Sequence, residues 1–145
     1  MQLHFSNYSI RTRSGEKEEV WDIIRRRWVT LTPEEWVRQH LLHYFVHDLH
    51  FPAGRVAVEK QVVVNGLKKR TDILLFDQEA RPLLLVECKS PDVPLTDQTF
   101  RQAAIYNLEW KVPFMMISNG HSHYCAAIDH EAQSFTMLEG LPELA

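Results

Sequence analysis

The chain has 145 residues, 45% hydrophobic and 24% charged, which is one domain's worth of globular sequence and excludes a disordered polypeptide. No apolar run approaches the roughly 20 residues of a membrane helix, and Met1 to Ile10 lacks a basic-then-apolar leader, so a cytoplasmic protein without a membrane role is expected. The net charge is −3, and the imbalance is local: residues 129–145 hold four carboxylates and no Lys or Arg, leaving residues 1–128 at +1.

Residues 1–30 carry no clear periodicity. Gly15 to Glu19 reads as a polar turn, and Val20 to Val29 mixes apolar residues with Arg25-Arg26-Arg27. Thr32-Pro33-Glu34-Glu35 is the first strong signal: an N-cap, a proline at the first helical position and an acid three residues after the cap, together a capping box. The helix is predicted to run to about His50, stopping before Pro52, with Val37, Leu41, Tyr44, Phe45 and Leu49 as its apolar stripe.

A β-rich middle follows. Val56 to Val64 and Leu67 to Phe76 are predicted strands joined by the hairpin pair Asn65-Gly66. Leu83 to Lys89 is predicted as a central strand, apolar until Glu87. Thr96 or Asp97 caps a second helix reaching about Trp110, with Phe100, Ala103, Ala104 and Leu108 inward. Val112 to Ser118 is a fourth strand, and Ser122 to Ile128 and Ser134 to Leu138 are edge strands. The fold class is α/β, a mixed central β-sheet flanked by helices. One domain spans 1–145, its core about 20–128 and its acidic tail 129–145.

The chemistry concentrates where strands end in charge. Along Glu87-Cys88-Lys89 the alternation of a strand puts Glu87 and Lys89 on one face and Cys88 on the other. Asp72, preceding the run Ile73 to Phe76, sits at a position that strands disfavour. The two acids are separated by about the length of two adjacent strands and a turn, so they can meet at one sheet edge. Two carboxylates at low dielectric repel, and a divalent cation removes the conflict. Magnesium suits such a pair, with water and phosphate oxygens completing its shell and the Cys88 backbone carbonyl as a further ligand. Lys89 then lies beside the attacking water. The competing reading is a buried salt bridge of Lys89 with Glu87 or Asp72.

The segments R-T-D-I-L-L-F-D and P-L-L-L-V-E-C-K-S-P resemble the D…(D/E)-x-K core of the PD-(D/E)xK nuclease superfamily. With L-T-P-E-E-W-V-R-Q and Y-N-L-E-W-K-V-P-F they are similar, over about residues 20–125, to the N-terminal nuclease domain of type I restriction enzyme R subunits. Thr71 stands where the superfamily name has proline. The resemblance implies a restriction-endonuclease-like fold and hydrolysis of DNA phosphodiester bonds by metal-activated water. It implies magnesium, or manganese in its place, held by Asp72 and Glu87, with Lys89 assisting. Gln102 and Tyr106, at i and i+4, resemble a Q-x-x-x-Y motif that contacts the strand. Glu35 matches an acid lining the metal site, with Glu34 as its rival and the capping box as a sufficient alternative. Lys68, Lys69 and Arg70 are candidate phosphate contacts. DNA is the expected partner, with a homodimer or a partner subunit supplying a second cut or specificity. The alternative function is a non-catalytic module of the same fold that binds nucleic acid or a partner.

The sequence has no G-x-x-x-x-G-K-[ST] loop, so the chain is not expected to use ATP. The stripe His40, His43, His47 and His50 reads as packing or solvated, and His121 and His123 read equally as phosphate contacts or as surface histidines. Trp21, Trp28, Trp36 and Trp110 read as packing, with base stacking the alternative. Cys88 and Cys125 match no zinc spacing and read as free and partly buried.

Overall fold

The computed structural model describes residues 1–64, 66–108 and 111–144, the side chains of Val62, Val64 and Tyr106 excepted. Three short strands, β1 (Thr12–Arg13), β2 (Glu19–Asp22) and β3 (Arg27–Thr30), form an antiparallel sheet of their own where the sequence showed no period. Helix α1 (Pro33–His43) follows, capped by Thr32, whose Oγ1 accepts the Glu35 N–H at 3.1 Å. The reciprocal half of the capping box is not made, because the Glu35 side chain turns to Arg38 and Gln39 instead.

The expected helix to His50 is two elements: α1 gives way to a π-helical turn, Tyr44–Asp48. His50 then takes a positive φ of 55° and ends the helical run. The buried face is Val37, Leu41, Leu42 and Phe45, while Leu49 is exposed, because the wider turn rotates the stripe away from a strict 3.6-residue period.

The predicted hairpin is present but interrupted. Its first arm splits into β4 (Val56–Val58) and β5 (Gln61–Val64), its second into β6 (Leu67–Arg70) and β7 (Ile73–Phe76). Val56 pairs with Leu75 and Gln61 with Arg70, so one register runs through both halves. Glu59 (φ 53°) breaks the first arm opposite Asp72, although its N–H still bonds the Asp72 carbonyl at 3.1 Å. Asn65 of the expected turn lies outside the described residues; Gly66 has the positive φ, 77°, that such a turn needs.

The main sheet has six strands. β8 (Pro82–Cys88) is central, β9 (Phe114–Ser118) lies parallel to it, and β10 (His123–Asp129) and β11 (Ser134–Leu138) complete one side; the order is β11-β10-β9-β8-β7-β4. Helix α2 (Asp97–Tyr106), capped by Thr96, is the crossover that the parallel pair requires. Its expected end at Trp110 falls outside the described residues.

Strand alternation divides the core. Leu84, Val86, Cys88, Met116 and Cys125 pack with Val37 and Leu41 of α1 and Phe45 of the π-helical turn. Met115, Ile117 and Ala126 pack with Phe100 and Ala104 of α2. The mixed sheet flanked by helices is the architecture expected from sequence. Segments set outside the expected core also pack on it: Phe5 at one end, Leu138 and Leu141 at the other.

Candidate active site

Two strand ends meet at one place. The β7–β8 register pairs Ile73 with Val86, and its continuation by one residue sets Asp72 opposite Glu87. Directly opposed residues of an antiparallel pair share a face. Lys89, two residues beyond Glu87, holds its Nζ 3.6 Å from Glu87 Oε2. Asp72 Oδ2 accepts the Cys88 backbone N–H at 2.7 Å, which ties the acid to the end of the central strand. All three expected residues, Asp72, Glu87 and Lys89, therefore gather at the C-terminal end of β8.

Burial lifts the Asp72 carboxyl above its ordinary value. The Cys88 N–H and the Arg38 guanidinium pull it back, and the charges of Glu87 and Glu34 push it up again. The net direction is upward, and its largest cause is the loss of solvent around the ionised carboxylate. The Cys88 thiol, fully enclosed beside Asp72, is raised well above the ordinary range and is no nucleophile.

Asp72 and Cys88 form part of the lining of a cleft of about 580 Å³ between the N-terminal sheet and α1, together with Arg25, Trp28, Glu34, Glu35, Arg38 and Glu59. Glu87 and Lys89 fall outside that lining. Charge dominates the cleft. Arg38 donates to Glu35 through Nε (2.9 Å) and Nη2 (2.6 Å), reaches Glu59 at 3.0 Å, and brings Nη1 to 3.8 Å from Asp72. Arg25 bonds Asp22 at 2.8 Å and Glu59 at 3.1 Å. Burial raises the Glu59 carboxyl, but Arg38, Arg25 and Arg70 outweigh it and the net shift is downward.

Glu35, the acid the resemblance sets at the metal site, lines the cleft in an ion pair. Both of its oxygens are taken by Arg38, with Gln39 Nε2 adding a bond at 3.1 Å, and the residue is buried. Its rival Glu34 is exposed and lines the cleft. Among the described residues, no group of three or more His, Cys, Asp or Glu side chains is arranged to hold a metal ion.

The other expected site residues lie on α2 and β6. Gln102 is exposed on α2, without a hydrogen bond or ion pair to Asp72, Glu87 or Lys89; the Tyr106 side chain lies outside the description. Lys68 and Arg70 are exposed, but Lys69 is buried, because alternation along β6 turns it inward; a phosphate contact by Lys69 is corrected accordingly. His123 is no surface residue. It is buried, its Nδ1 is 2.7 Å from Ser118 Oγ, and desolvation holds its pKa down to about 4. His40 and His43 pack against Phe5 and Tyr8, while His47 and His50 are exposed. Both cysteines are free and fully rather than partly buried.

Arg25, Arg38 and Glu59 escaped the sequence reading. The available signal was the spacing of Arg38, three and four residues after Glu35 and Glu34 on a capped helix. Nothing local in sequence announces Glu59, which reaches the cleft through the hairpin break.

The family model for the type I restriction enzyme R protein N terminus matches residues 33–142. The chain belongs to this family. The matched span of this R-protein N-terminal chain includes Asp72, Glu87, Lys89, Gln102 and Tyr106, and leaves β1–β3 ahead of it. Among solved structures, a fragment from Vibrio vulnificus YJ016, assigned to an HsdR subunit of a type I restriction enzyme, is 28% identical with a TM-score of 0.36. The match covers 61% of this chain and 16% of that one. No curated protein sequence matches. Among the described residues, no helix is long and apolar enough to cross a membrane.

Proposed function

We propose that this R-protein N-terminal chain is a nuclease of the PD-(D/E)xK type that hydrolyses DNA phosphodiester bonds with magnesium, or manganese in its place. The observation that carries the reading is the β7–β8 register, which sets Asp72 opposite Glu87 with Lys89 beside them. The donor set suits a divalent ion: Asp72 and Glu87 are carboxylates brought to one strand end, and magnesium needs only one or two carboxylates, with water in its other positions. Asp72, Glu87 and the Cys88 backbone carbonyl would hold it. When bound, the ion supplies Lewis acidity and neutralises phosphate charge.

The chain's own residues do the rest. The Cys88 N–H fixes Asp72 Oδ2, while Oδ1 faces Arg38 Nη1 at 3.8 Å. Lys89, partly exposed, orients the attacking water and stabilises negative charge developing on the phosphate. Glu34, exposed on the same cleft, takes the acidic role the resemblance gives to Glu35. Gln102 and Tyr106 position the strand from α2. Family membership supports DNA and the other subunits of a restriction complex as partners, and little sequence specificity resides in this chain.

The Arg38 guanidinium, 3.8 Å from Asp72, favours the second reading, a non-catalytic module whose acidic edge is closed by an internal cation. Plasmid and single-strand cleavage with Mg²⁺ or Mn²⁺, run beside Asp72→Asn and Lys89→Ala, separates the two. Metal-dependent cutting lost in both variants is the expected result. Absence of cutting, with no magnesium uptake by calorimetry, refutes the nuclease and leaves the ion-pair network.

A further inference from the structure

The sheet β1–β3 precedes the residues matched by the family and is built differently on its two sides. Val20 pairs with Val29 on the inner side, where Val20 is fully buried. Trp21 pairs with Trp28 on the outer side, their rings 5.4 Å apart and edge to face. The Trp21 N–H bonds the Arg11 carbonyl at 2.8 Å, and this extends the β1–β2 pairing and sets Arg11 beside the rings. The Arg11 guanidinium lies 5.0 Å from the Trp21 ring centre and 5.4 Å from that of Trp28; Arg13 lies 4.5 Å from Trp28. Both arginines are exposed and both rings half-buried. Arg26 and Arg27 are exposed at the β2–β3 turn. The carboxylate on this face, Glu19, is held by Arg13 at 2.9 Å.

This ladder runs into the candidate active site. Trp28, Arg27 and Glu19 line the same cleft as Asp72. Trp21, Arg11 and Arg26 line a second hollow, of about 390 Å³, on the ladder's other side.

We propose that the outer face of β1–β3 binds single-stranded nucleic acid and leads it toward Asp72. Alternating guanidinium groups and indole rings match a polyanion that offers a planar aromatic base at each repeat. Exposed cation–π contacts are weak, so an incoming base can take the ring face while the arginine moves to a phosphate. Bases of a duplex are already stacked and offer the indoles no face, which commits the site to single strands. The delivery to Asp72 rests on the nuclease reading; the binding does not.

The test is fluorescence anisotropy with a labelled 20-nucleotide oligo-dT and the matching duplex, in EDTA so that metal-dependent cleavage plays no part. The full chain is compared with Arg11→Gln/Arg13→Gln and with Trp28→Leu, and thermal unfolding checks that each variant folds. Single strand is expected to bind more tightly than duplex. Each variant should weaken it about ten-fold, as expected for loss of a stacked base or of phosphate contacts. The double arginine variant should also flatten the dependence of log K on log salt by about 1.4, roughly 0.7 per lost single-strand phosphate contact. No binding by the wild type, unchanged affinity in both variants, or tighter binding of duplex overturns the proposal. A lowered unfolding midpoint with unchanged affinity also overturns it, assigning the ladder to stability alone. Metal-dependent cutting with no effect of the variants on binding removes the platform and keeps the nuclease. Variant-sensitive binding without any cutting keeps the platform and removes the nuclease.

Discussion

Replacing Arg38 by Met tests whether the charge network holds the cleft together. The Arg38 and Glu35 side chains are 9% and 6% exposed, and the pair is bidentate at 2.6 and 2.9 Å, so solvent screens it little. Removing Arg38 leaves the buried Glu35 carboxylate with Gln39 at 3.1 Å and the longer Arg25 contact at 3.5 Å, which costs about 3 kcal/mol, the lower end for broken buried pairs. The second contact, to Glu59, adds little because that carboxylate is 35% exposed. An unfolding entropy of roughly 2.1 cal/mol/K per residue gives about 0.3 kcal/mol/K for a chain of this length, so the midpoint should fall by about 10 °C. Thermal unfolding followed by circular dichroism reads this directly. The double variant Arg38→Met/Glu35→Gln removes the orphaned charge along with its partner and should recover most of the loss. A fall of less than about 3 °C in Arg38→Met, or strict additivity with Glu35→Gln, would show that the network is not the buried pair described.

Asp72→Asn should abolish magnesium uptake by calorimetry yet leave the unfolding midpoint unchanged or a few degrees higher, because burial already disfavours the ionised acid and the amide oxygen still accepts the Cys88 N–H; a large loss of stability would contradict the raised pKa. Asp22 behaves in the opposite sense. Burial raises it, but the Arg25 backbone and side chain and the Ile24 N–H outweigh that and hold it below its ordinary value of 3.8. Its stabilisation is therefore complete above that value and disappears as pH falls through the lower folded pKa. Asp22→Asn should lower the midpoint at pH 7 and flatten its decline below about pH 4 in a pH series of melts; an unchanged acid limb would refute the assignment. Gly120→Ala, at φ 89° with a new Cβ 3.3 Å from Val37 Cγ2, should cost about 1–2 kcal/mol. Gly54→Ala, with open space around it and no positive φ, serves as the neutral control in the same melts.

Periodicity and end signals made much of this protein legible before folding. Thr32 caps its helix as read, and Thr96 is the one of the two candidates, Thr96 and Asp97, that caps the second, because a cap is a contact between residues three apart. The alternation along Leu84 to Lys89 placed Glu87 and Lys89 on one face and Cys88 on the other, because a strand repeats every two residues. Asp72 stood out as an acid within a predicted strand, and its distance from Glu87 in sequence matches the β7–β8 register that sets the two opposite each other. Tertiary structure decided what charge each acid meets. Glu35 reads as a metal-lining acid from the resemblance, with the capping box as alternative; Arg38 and Gln39 bond it, Arg25 reaches it from a turn, and Glu59, from a hairpin break, shares Arg38 and Arg25 with it. His123 looked like a surface residue until β9 and β10 paired and set it against Ser118. The same holds for residues 11–30, too short in each strand to carry a period, where cross-strand pairing, not sequence order, aligns two tryptophans under two arginines. Local patterns settle conformation, whose contacts lie within a few residues; electrostatic partners sit tens of residues away, where pairing and burial select them.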